Sequence, residues 1–441
     1  MTLKRKIDST FRATRRRLIG RLLPLVTGGR RNLSNLDVTA LPARVTMPLR
    51  RDGLDPVALV PPGDEAGSVL NIGRVLGMTL WLVTGYDEAK AVLADPSYST
   101  DIRALMGGRH DGSAIGGLGF TDPPDHTALR RILMPEFTAR RLAALRPAIE
   151  RIVEDRLDAM EAAGPISDLV ADFAFSVPFE VICELLGLPV TDRERFQRLG
   201  HERFDVNKGG AGIFGAISES RQFMLEAVGR QRLHPGTGLI ASMLRTHGDQ
   251  TDDVIAGLAD GVFTGGYETS ASMIGLGVLA LTRDPAAMAR IRADETAVDG
   301  VVDELLRYLS VVQIAFPRFA RQDLMLSGHQ VRAGDVVICS LSRANRDDVF
   351  GQAPGRFDAL RPPHQHLAFG HGFHRCVGAE LARIQLRVAF RALVRRFPTM
   401  ELAVSEADLQ FHDLSIVYGL KALPLRLHST AACRSAPPTT A

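Results

Sequence analysis

Apolar positions recur with a helical period over most of the chain after residue 122. Residues 251–281 are apolar nearly all round, so we predict a long helix through the core there, and residues 379–397 predict a second long helix. Residues 168–188 predict a further helix, and another begins at Pro123 and Pro124, because proline is tolerated in a first helical turn. The pattern therefore predicts a mainly α-helical protein.

Short apolar runs predict a minor β-sheet beside these helices. Residues 80–84, 324–326 and 336–341 are predicted strands. Gly85 turns the first strand into a short helix at 87–94. The expected fold class is mainly α with a minor β-sheet.

The basic residues are unevenly distributed. The chain has a formal net charge of +3, but residues 1–31 hold ten basic side chains and one acid, which leaves the remainder at −6. Bulk nucleic-acid binding is therefore not expected. We expect residues 1–36 to be a basic extension that is solvated, with peripheral membrane contact as the alternative. Residues 37–428 are expected to form a single domain and residues 429–441 a disordered tail.

The four cysteines are scattered and form no C-x-x-C pair, which favours a reduced cytosol over a disulfide scaffold. No apolar run of about 18 residues is present, so no transmembrane anchor is predicted. The short apolar stretch at 18–26 is followed by no cleavage signal for secretion. The expected location is cytoplasmic.

The most informative segment, residues 366–383, has the sequence HLAFGHGFHRCVGAELAR. It places Cys376 among Gly370, Gly372 and Gly378, in a loop that opens into a helix. Glycines let a backbone approach a flat ligand closely, and a cysteine at a helix start is favoured as the thiolate. Such a thiolate is a suitable axial ligand for haem iron.

Two other interpretations fit this segment. Cys376 would be inert if it were simply a buried residue. It would instead belong to a zinc site if it acted with the neighbouring histidines, which are His364, His366, His371 and His374. Neither interpretation explains the glycine spacing.

The segment matches the pattern F-G-x-G-x-H/R-x-C-x-G through Phe369, Gly370, Gly372, His374, Cys376 and Gly378. It resembles the cysteine loop of the cytochrome P-450 superfamily, most closely its soluble bacterial class. The resemblance covers roughly residues 45–425 and excludes the basic extension. It implies a P-450 fold with the long central helix over the haem, and haem b (iron protoporphyrin IX) as the cofactor. Cys376 would be the axial iron ligand, with Phe369, Gly370 and Gly378 around the haem.

Glu304 and Arg307 match the E-x-x-R signature of the same family, and their spacing puts both charges on one helix face. Taken alone, they would be an ordinary surface ion pair. With Arg361, the resemblance implies a structural brace for the cysteine loop.

The sequence Gly265-Gly266-Tyr267-Glu268-Thr269 lies midway along the long predicted helix. Two adjacent glycines cost about 0.8–1.0 kcal/mol each relative to alanine in a helix, and polar groups are costly to bury. A kink with a satisfied hydroxyl is one explanation. The other is a family motif, A/G-G-x-E/D-T, that lies over the haem: Gly265 leaves room for a small ligand, while Glu268 and Thr269 relay protons catalytically.

His126 and Arg130 are i, i+4 on one face of the predicted helix that follows Pro124. Solvated polar residues would show the same spacing. By resemblance they match the family's H-x-x-x-R, and Arg318 and His374 match further positions that bind haem propionates. Such groups make charge-assisted hydrogen bonds to carboxylates.

The resemblance implies insertion of one atom of O2, the co-substrate, into an organic substrate, while the other atom leaves as water. Hydroxylation is the expected reaction and epoxidation the alternative. No dinucleotide fingerprint and no flavin or ferredoxin domain is visible, so electrons from NAD(P)H are expected through separate partners, a ferredoxin and its reductase. A stripe of arginines on the last helix is more typical of a solvated face, although part of it, with Arg131, would suit an acidic electron donor. The stripe consists of Arg383, Arg387, Arg391 and Arg395.

Positions that line the family's substrate pocket are mostly apolar here, which predicts a small hydrophobic substrate. They are Phe204, Val262, Phe263, Val312, Ile314, Phe316 and Ile416. Core packing would explain each of them equally well. Composition and motifs together suggest an enzyme that tailors secondary metabolites, by analogy alone.

Three alternatives compete with an O2-dependent monooxygenase. A peroxide-using member of the family would lack the acid–alcohol pair, so Glu268 and Thr269 favour dioxygen. A haem-binding protein without turnover would have no use for a proton relay. A zinc-dependent hydrolase would leave the other signatures unexplained.

Overall fold

The computed structural model describes residues 41–58, 67–75, 77–101, 117–194, 196 and 219–428. The predicted basic extension at 1–36, the predicted tail at 429–441 and the predicted pocket residue Phe204 lie outside these ranges. No helix among the described residues is long and apolar enough to cross a membrane.

Helices dominate the described part of the chain. In chain order they are α1 (Ala43–Thr46), α2 (Tyr86–Ala94), α3 (Asp125–Leu133), α4 (Ala139–Ala163), α5 (Ser176–Leu186), α6 (Glu219–Leu233), α7 (Gly238–Thr246), α8 (Asp252–Thr282), α9 (Pro285–Ala293), α10 (Ala297–Leu309), α11 (Leu341–Ala344) and α12 (Ala379–Arg396).

The strands are short. They are β1 (Arg51–Asp52), β2 (Asp55–Pro56), β3 (Val69–Val75), β4 (Met78–Val83), β5 (Tyr98–Ser99), β6 (Ile166–Asp168), β7 (Arg318–Ala320), β8 (Leu324–Leu326), β9 (His329–Val331), β10 (Val336–Cys339), β11 (Glu401–Leu402) and β12 (Pro424–Arg426). The prediction of a mainly α fold with a minor sheet is confirmed.

Helix α8 runs through the centre of the helical part. The Thr251 hydroxyl caps it by accepting a hydrogen bond from the Val254 N–H at 3.4 Å, and Asp252 and Asp253 suit the positive end of the helix dipole. The C-terminal half of α8 packs in a core with α4, α9, α10 and α12, and its N-terminal half packs in a second core with α5, α6 and α7. The predicted long helix is therefore confirmed to within one residue at each end.

The largest sheet has the strand order β3-β4-β10-β7-β5. Strands β4 and β10 are parallel, with Leu80 opposite Val336, and the other neighbours are antiparallel. Two of the predicted strands, at 80–84 and 336–341, are therefore adjacent in this sheet. A second sheet joins β6 to β12 and β11 near the end of the described chain.

The prediction of one continuous helix over 168–188 is wrong at its start. Asp168 ends β6, a π-helical turn follows at Val170–Ala174, and only then does α5 begin. The Asp168 carboxylate accepts hydrogen bonds from the Val170 N–H at 3.0 Å and the Leu423 N–H at 2.8 Å. This contact anchors the segment to a distant part of the chain, which the local hydrophobic pattern does not reveal.

Candidate active site

The cysteine loop (residues 366–378) is a tight turn that enters α12. Gly370 and Gly372 have φ angles of 69° and 68°, a region that favours glycine. A Cβ on Gly372 would also lie 2.4 Å from the Leu93 carbonyl oxygen at the end of α2. Within the loop, the Cys376 N–H donates to the Phe369 carbonyl at 2.9 Å. The glycine spacing thus holds the cysteine at a fixed place in front of the helix.

The Cys376 thiol is accessible but lies among desolvating protein atoms. The residue is exposed, yet the surrounding protein desolvates the thiol enough to raise its pKa above the usual value. The Gly378 N–H donates towards the sulfur, and the positive charges of Arg130 and Arg375 lie near it. These groups lower the pKa of the thiol, against the effect of burial, and so favour the thiolate. The interpretation of Cys376 as a simply buried cysteine therefore does not fit the structure.

Glu304, Arg307 and Arg361 form one buried ion-pair cluster, which we call the brace. Glu304 accepts from the Arg307 Nε and Nη2 at 2.7 Å each, and from the Arg361 Nε at 3.1 Å. Both partners of the Glu304–Arg307 pair are 3% exposed in their side chains, so the surface ion pair weighed from the sequence is wrong.

The brace holds the chain that leads into the cysteine loop. Arg307 Nη1 donates to the carbonyls of Asn345 and Pro354 at 2.7 Å each. The Asn345 side-chain oxygen in turn accepts from the Leu367 N–H at 2.6 Å, at the base of the cysteine loop. Helix α10 is therefore connected to the loop through fully satisfied buried polar groups.

His126, His374, Arg318 and Arg130 are brought together beside the cysteine loop. The rings of His126 and His374 lie 4.3 Å apart, and burial together with the nearby charge of Arg318 lowers the pKa of His374 to about 3. Arg318 is 3% exposed and donates to the Phe316 carbonyl at 3.1 Å. Arg130 donates to the Arg375 carbonyl at 2.8 Å, so it also touches the cysteine loop directly.

This cluster has hydrogen-bonding and charged groups that could bind anions. The buried Nε2 of His126 has no hydrogen-bond partner, and no carboxylate among the described residues pairs with Arg318. An unpaired buried cation and an unsatisfied buried nitrogen are costly unless a ligand completes them. The cluster therefore fits one or two carboxylate groups.

Thr100 and Asp122 support this cluster, and the sequence did not single them out. The Thr100 hydroxyl lies 3.2 Å from the His374 Nε2 and 3.2 Å from an Asp122 carboxylate oxygen. Hydrogen bonds from Ser99 and Thr100 and the charge of Arg321 lower the pKa of Asp122, although burial opposes them. An ionised Asp122 only accepts, so Thr100 donates to it and orients the His374 ring. The local signal was weak: Thr100 directly follows β5, and Asp122 directly precedes Pro123.

The middle of α8 combines open space with a desolvated acid. Gly265 is exposed although the helix is mostly buried, and an added Cβ there would meet no atom. The Thr269 hydroxyl donates to the Gly265 carbonyl at 2.6 Å. Burial raises the pKa of Glu268 to about 8, so at neutral pH this carboxyl holds a proton.

We expect Glu268→Gln to remove a pH-dependent loss of stability. The folded-state pKa of about 8 exceeds the ordinary value of 4.5, so the folded protein binds this proton more tightly and its stability falls as pH rises between those values. Each unit corresponds to about 1.4 kcal/mol. Urea unfolding at about pH 5 and about pH 8 should show a steeper fall for the wild type than for the variant. Glu380→Gln is the control, because Glu380 is exposed and its substitution should leave the pH dependence as in the wild type. An equal fall in the free energy of unfolding in the wild type and Glu268→Gln would contradict this expectation.

The predicted pocket residues fall into two groups. Phe316 is 47% exposed and Ile416 is 38% exposed, while Val262 and Val312 are half-buried and Ile314 is buried. Their exposure leaves surface for a ligand at the first two positions.

Phe263 was predicted to line the substrate pocket, but the structure places it in the core. Its ring lies 4.1 Å from that of Phe196 and 5.3 Å from that of Tyr267, and it is fully buried. It occupies a different face of α8 from Gly265 and Thr269, since two residues advance a helix by about 200°.

The arginine stripe on α12 is solvated only at its end, where the Arg395 side chain is 64% exposed. Arg383, Arg387 and Arg391 have at most 32% of their side chains exposed, and each pairs with an acid between α9 and the end of α10. Arg395 pairs with Glu154 of α4 at 2.7 Å. These arginines therefore connect α12 to neighbouring parts of the fold through ion pairs.

The zinc interpretation has no geometric support in the described ranges. No group of three or more His, Cys, Asp or Glu side chains in that part of the chain could hold a metal ion. The histidines concerned are His364, His366, His371 and His374.

Comparison with known proteins identifies the relatives of this chain. The cytochrome P-450 family model matches residues 212–417. Cytochrome P-450 165B3 of Amycolatopsis orientalis is 40% identical over 390 residues, which covers 85% of this chain and 96% of that protein. The cytochrome P-450 monooxygenase PikC of Streptomyces venezuelae is 38% identical over 357 residues, 79% of this chain and 86% of PikC.

Solved structures agree with the sequence comparison. The structure of StaH, a P-450 from the biosynthesis of a glycopeptide antibiotic, superposes with a TM-score of 0.76 at 38% identity. The match covers 86% of this chain and 99% of StaH.

Proposed function

This chain belongs to the cytochrome P-450 family of monooxygenases, and from that premise we propose that it inserts one atom of dioxygen into a hydrophobic substrate. Hydroxylation is the proposed reaction. The observation that most directly supports a haem-thiolate enzyme is the position of Cys376. Its accessible but desolvated thiol is held in front of α12 by the cysteine loop.

The described residues fit a haem that would lie in a cleft between Cys376 and the middle of α8. The thiolate of Cys376 would ligate the iron, and the unpaired groups of His126 and Arg318, with His374 and Arg130, would hold the two propionates. Gly265 would leave space above the ring, and Phe369, Gly370 and Gly378 would lie around the ligating sulfur. When bound, the haem supplies the activation of dioxygen.

The protein would contribute the movement of protons. Glu268 is protonated at neutral pH and lies one residue before Thr269, on the stretch of α8 that includes the open position at Gly265. The Glu268 carboxyl would hold a proton, and the Thr269 hydroxyl, which donates to a carbonyl in this structure, would pass it towards the cleft through water. This acid–alcohol pair is the reason to prefer dioxygen over peroxide as the oxidant.

We expect Thr269→Ala to uncouple oxygen consumption from product formation. Peroxide released per substrate consumed should rise about tenfold, because the proton that completes water formation arrives late. Thr264→Ala is the matched control, since the Thr264 hydroxyl makes the same kind of bond to the Asp260 carbonyl at 2.8 Å. Peroxide assays on both variants would contradict the relay if Thr269→Ala stayed as coupled as Thr264→Ala.

The substrate would be a secondary metabolite with a hydrophobic body. Phe316 and Ile416 offer exposed apolar surface, and the relative StaH comes from antibiotic biosynthesis. Electrons would come from NAD(P)H through a ferredoxin and its reductase. Arg131 and Arg375 are exposed near the cysteine loop and have no carboxylate partner in the described chain, so they would suit an acidic donor.

Labelled dioxygen tests the proposed reaction. The haem-loaded protein would be incubated with a ferredoxin, its reductase, NADPH and a panel of apolar compounds. We expect one oxygen atom of each product to derive from dioxygen. Products whose new oxygen derives from water would indicate hydrolysis and overturn the proposal.

A further inference from the structure

A buried arginine near the start of the described chain contacts a glutamine between two proposed pocket residues. Arg51 is 9% exposed and Gln313 is fully buried. The Arg51 Nε–H donates to the Gln313 side-chain oxygen at 2.9 Å, across 262 positions of sequence. Gln313 lies between Val312 and Ile314.

Arg51 also holds the C-terminal end of α10. Its Nη1 donates to the Leu309 carbonyl at 2.7 Å and its Nη2 to the Ser310 carbonyl at 2.9 Å. The guanidinium lies over the Tyr418 ring at 4.8 Å. These hydrogen-bond acceptors are neutral, so the planar fork of donors matters here and not charge alone.

Gln313 extends this arrangement to the second wall. Its Nε2 donates to the Ser415 carbonyl at 2.8 Å and to the Leu49 carbonyl at 3.1 Å, and its backbone N–H donates to the Ile416 carbonyl at 2.9 Å. Because Arg51 occupies the side-chain oxygen, the amide cannot flip without breaking all three side-chain bonds.

The two segments that Gln313 joins include the exposed apolar residues Phe316 and Ile416. The two segments are joined by a backbone bridge between Val312 and Val417 and by the buried side chain of Gln313, which Arg51 holds. Helix α10, whose end Arg51 also holds, contains Glu304 and Arg307 of the brace. We propose that Arg51 and Gln313 are positioning residues that set the spacing between segments 311–316 and 415–418, and so the size of ligand that the pocket accepts. This inference rests on the proposed function, because that function makes these segments pocket walls.

Arg346 offers a matched control on the same helix end. It donates to the Leu54 carbonyl at 3.0 Å and the Tyr308 carbonyl at 3.1 Å, and it stacks on the Tyr308 ring at 4.4 Å. No hydrogen bond joins it to Gln313 or to residues 415–418 within the described ranges. Arg346→Lys should therefore weaken the fold without moving the pocket walls.

The test compares a small and a large iron ligand in the haem-loaded full chain. Spectral titrations would give the Kd of imidazole and of 4-phenylimidazole for the wild type, Arg51→Lys, Gln313→Leu and Arg346→Lys. We expect the ratio of the two Kd values to change about tenfold in Arg51→Lys and Gln313→Leu, and less than about twofold in Arg346→Lys. Thermal unfolding would show that Arg346→Lys loses about as much stability as Arg51→Lys and Gln313→Leu do.

Amide hydrogen exchange gives a readout that does not depend on haem. The amides of Gln313 and Tyr418, which bond across the two segments, should exchange about tenfold faster in Arg51→Lys and Gln313→Leu than in Arg346→Lys. A Kd ratio and exchange rates that match those of Arg346→Lys in both variants would overturn the proposal. A wild-type protein that binds no thiolate-ligated haem would instead overturn the proposed function. Amide hydrogen exchange would then still test the positioning role of Arg51 and Gln313.

Discussion

Cys376→Ala is expected to abolish thiolate-ligated haem and, with it, all turnover. Alanine leaves no sulfur in front of α12, and neither of the other two cysteines among the described residues can substitute, because Cys183 and Cys339 are buried and burial raises the pKa of each thiol to about 12. The variant should keep its fold, since the cysteine loop is held by backbone bonds such as that from the Cys376 N–H to the Phe369 carbonyl.

Absorption spectra and haem content of the purified variant measure this effect. Cys183→Ala is the matched control, because it removes a cysteine from α5 and should leave the spectrum unchanged. A Cys376→Ala protein with the wild-type spectrum and activity would show that the axial ligand is another residue.

Glu304→Gln is expected to produce the largest loss of stability among single polar substitutions at the site. It leaves the buried guanidinium of Arg307 and the largely buried one of Arg361 without their carboxylate partner. Removing one partner of a buried pair costs about 3–5 kcal/mol, because an uncompensated charge stays buried. Since Arg307 also binds the carbonyls of Asn345 and Pro354, the variant should lose haem more readily as well.

Urea unfolding and the rate of haem transfer to a scavenger would measure both effects. Glu154→Gln is the control, because Glu154 also pairs with two arginines but is 37% exposed in its side chain. That substitution should cost about 1 kcal/mol or less. Equal losses for Glu304→Gln and Glu154→Gln would mean that the brace contributes no more than a surface pair.

Sequence patterns predicted the elements whose causes are local. Helix α8 was located to within one residue because Thr251 caps it and its apolar residues continue to Leu281. The cysteine loop was found because positive φ angles at Gly370 and Gly372 require glycine at fixed spacing. Two members of the brace came from the E-x-x-R signature and Arg361 from the family resemblance, and the structure brings all three into one cluster.

Features that depend on distant contacts were missed or misplaced. The helix predicted over 168–188 fails at Asp168 because its carboxylate binds the Leu423 N–H, 255 positions away. The contact between Thr100 and His374 spans 274 positions. Phe263 is apolar like its neighbours on α8, and only the fold decides that it meets Phe196 in the core. Periodicity identifies an apolar helix but does not show which face borders a cleft.

The central claim, that Cys376 ligates a haem through its thiolate, is tested most directly by one spectrum. Purified protein would be reduced and its absorption compared with and without carbon monoxide. We expect a strongly red-shifted Soret band, the signature of haem iron ligated by a thiolate. A carbon monoxide complex without that shift, or protein that binds no haem when haem is supplied, would contradict the assignment of this site.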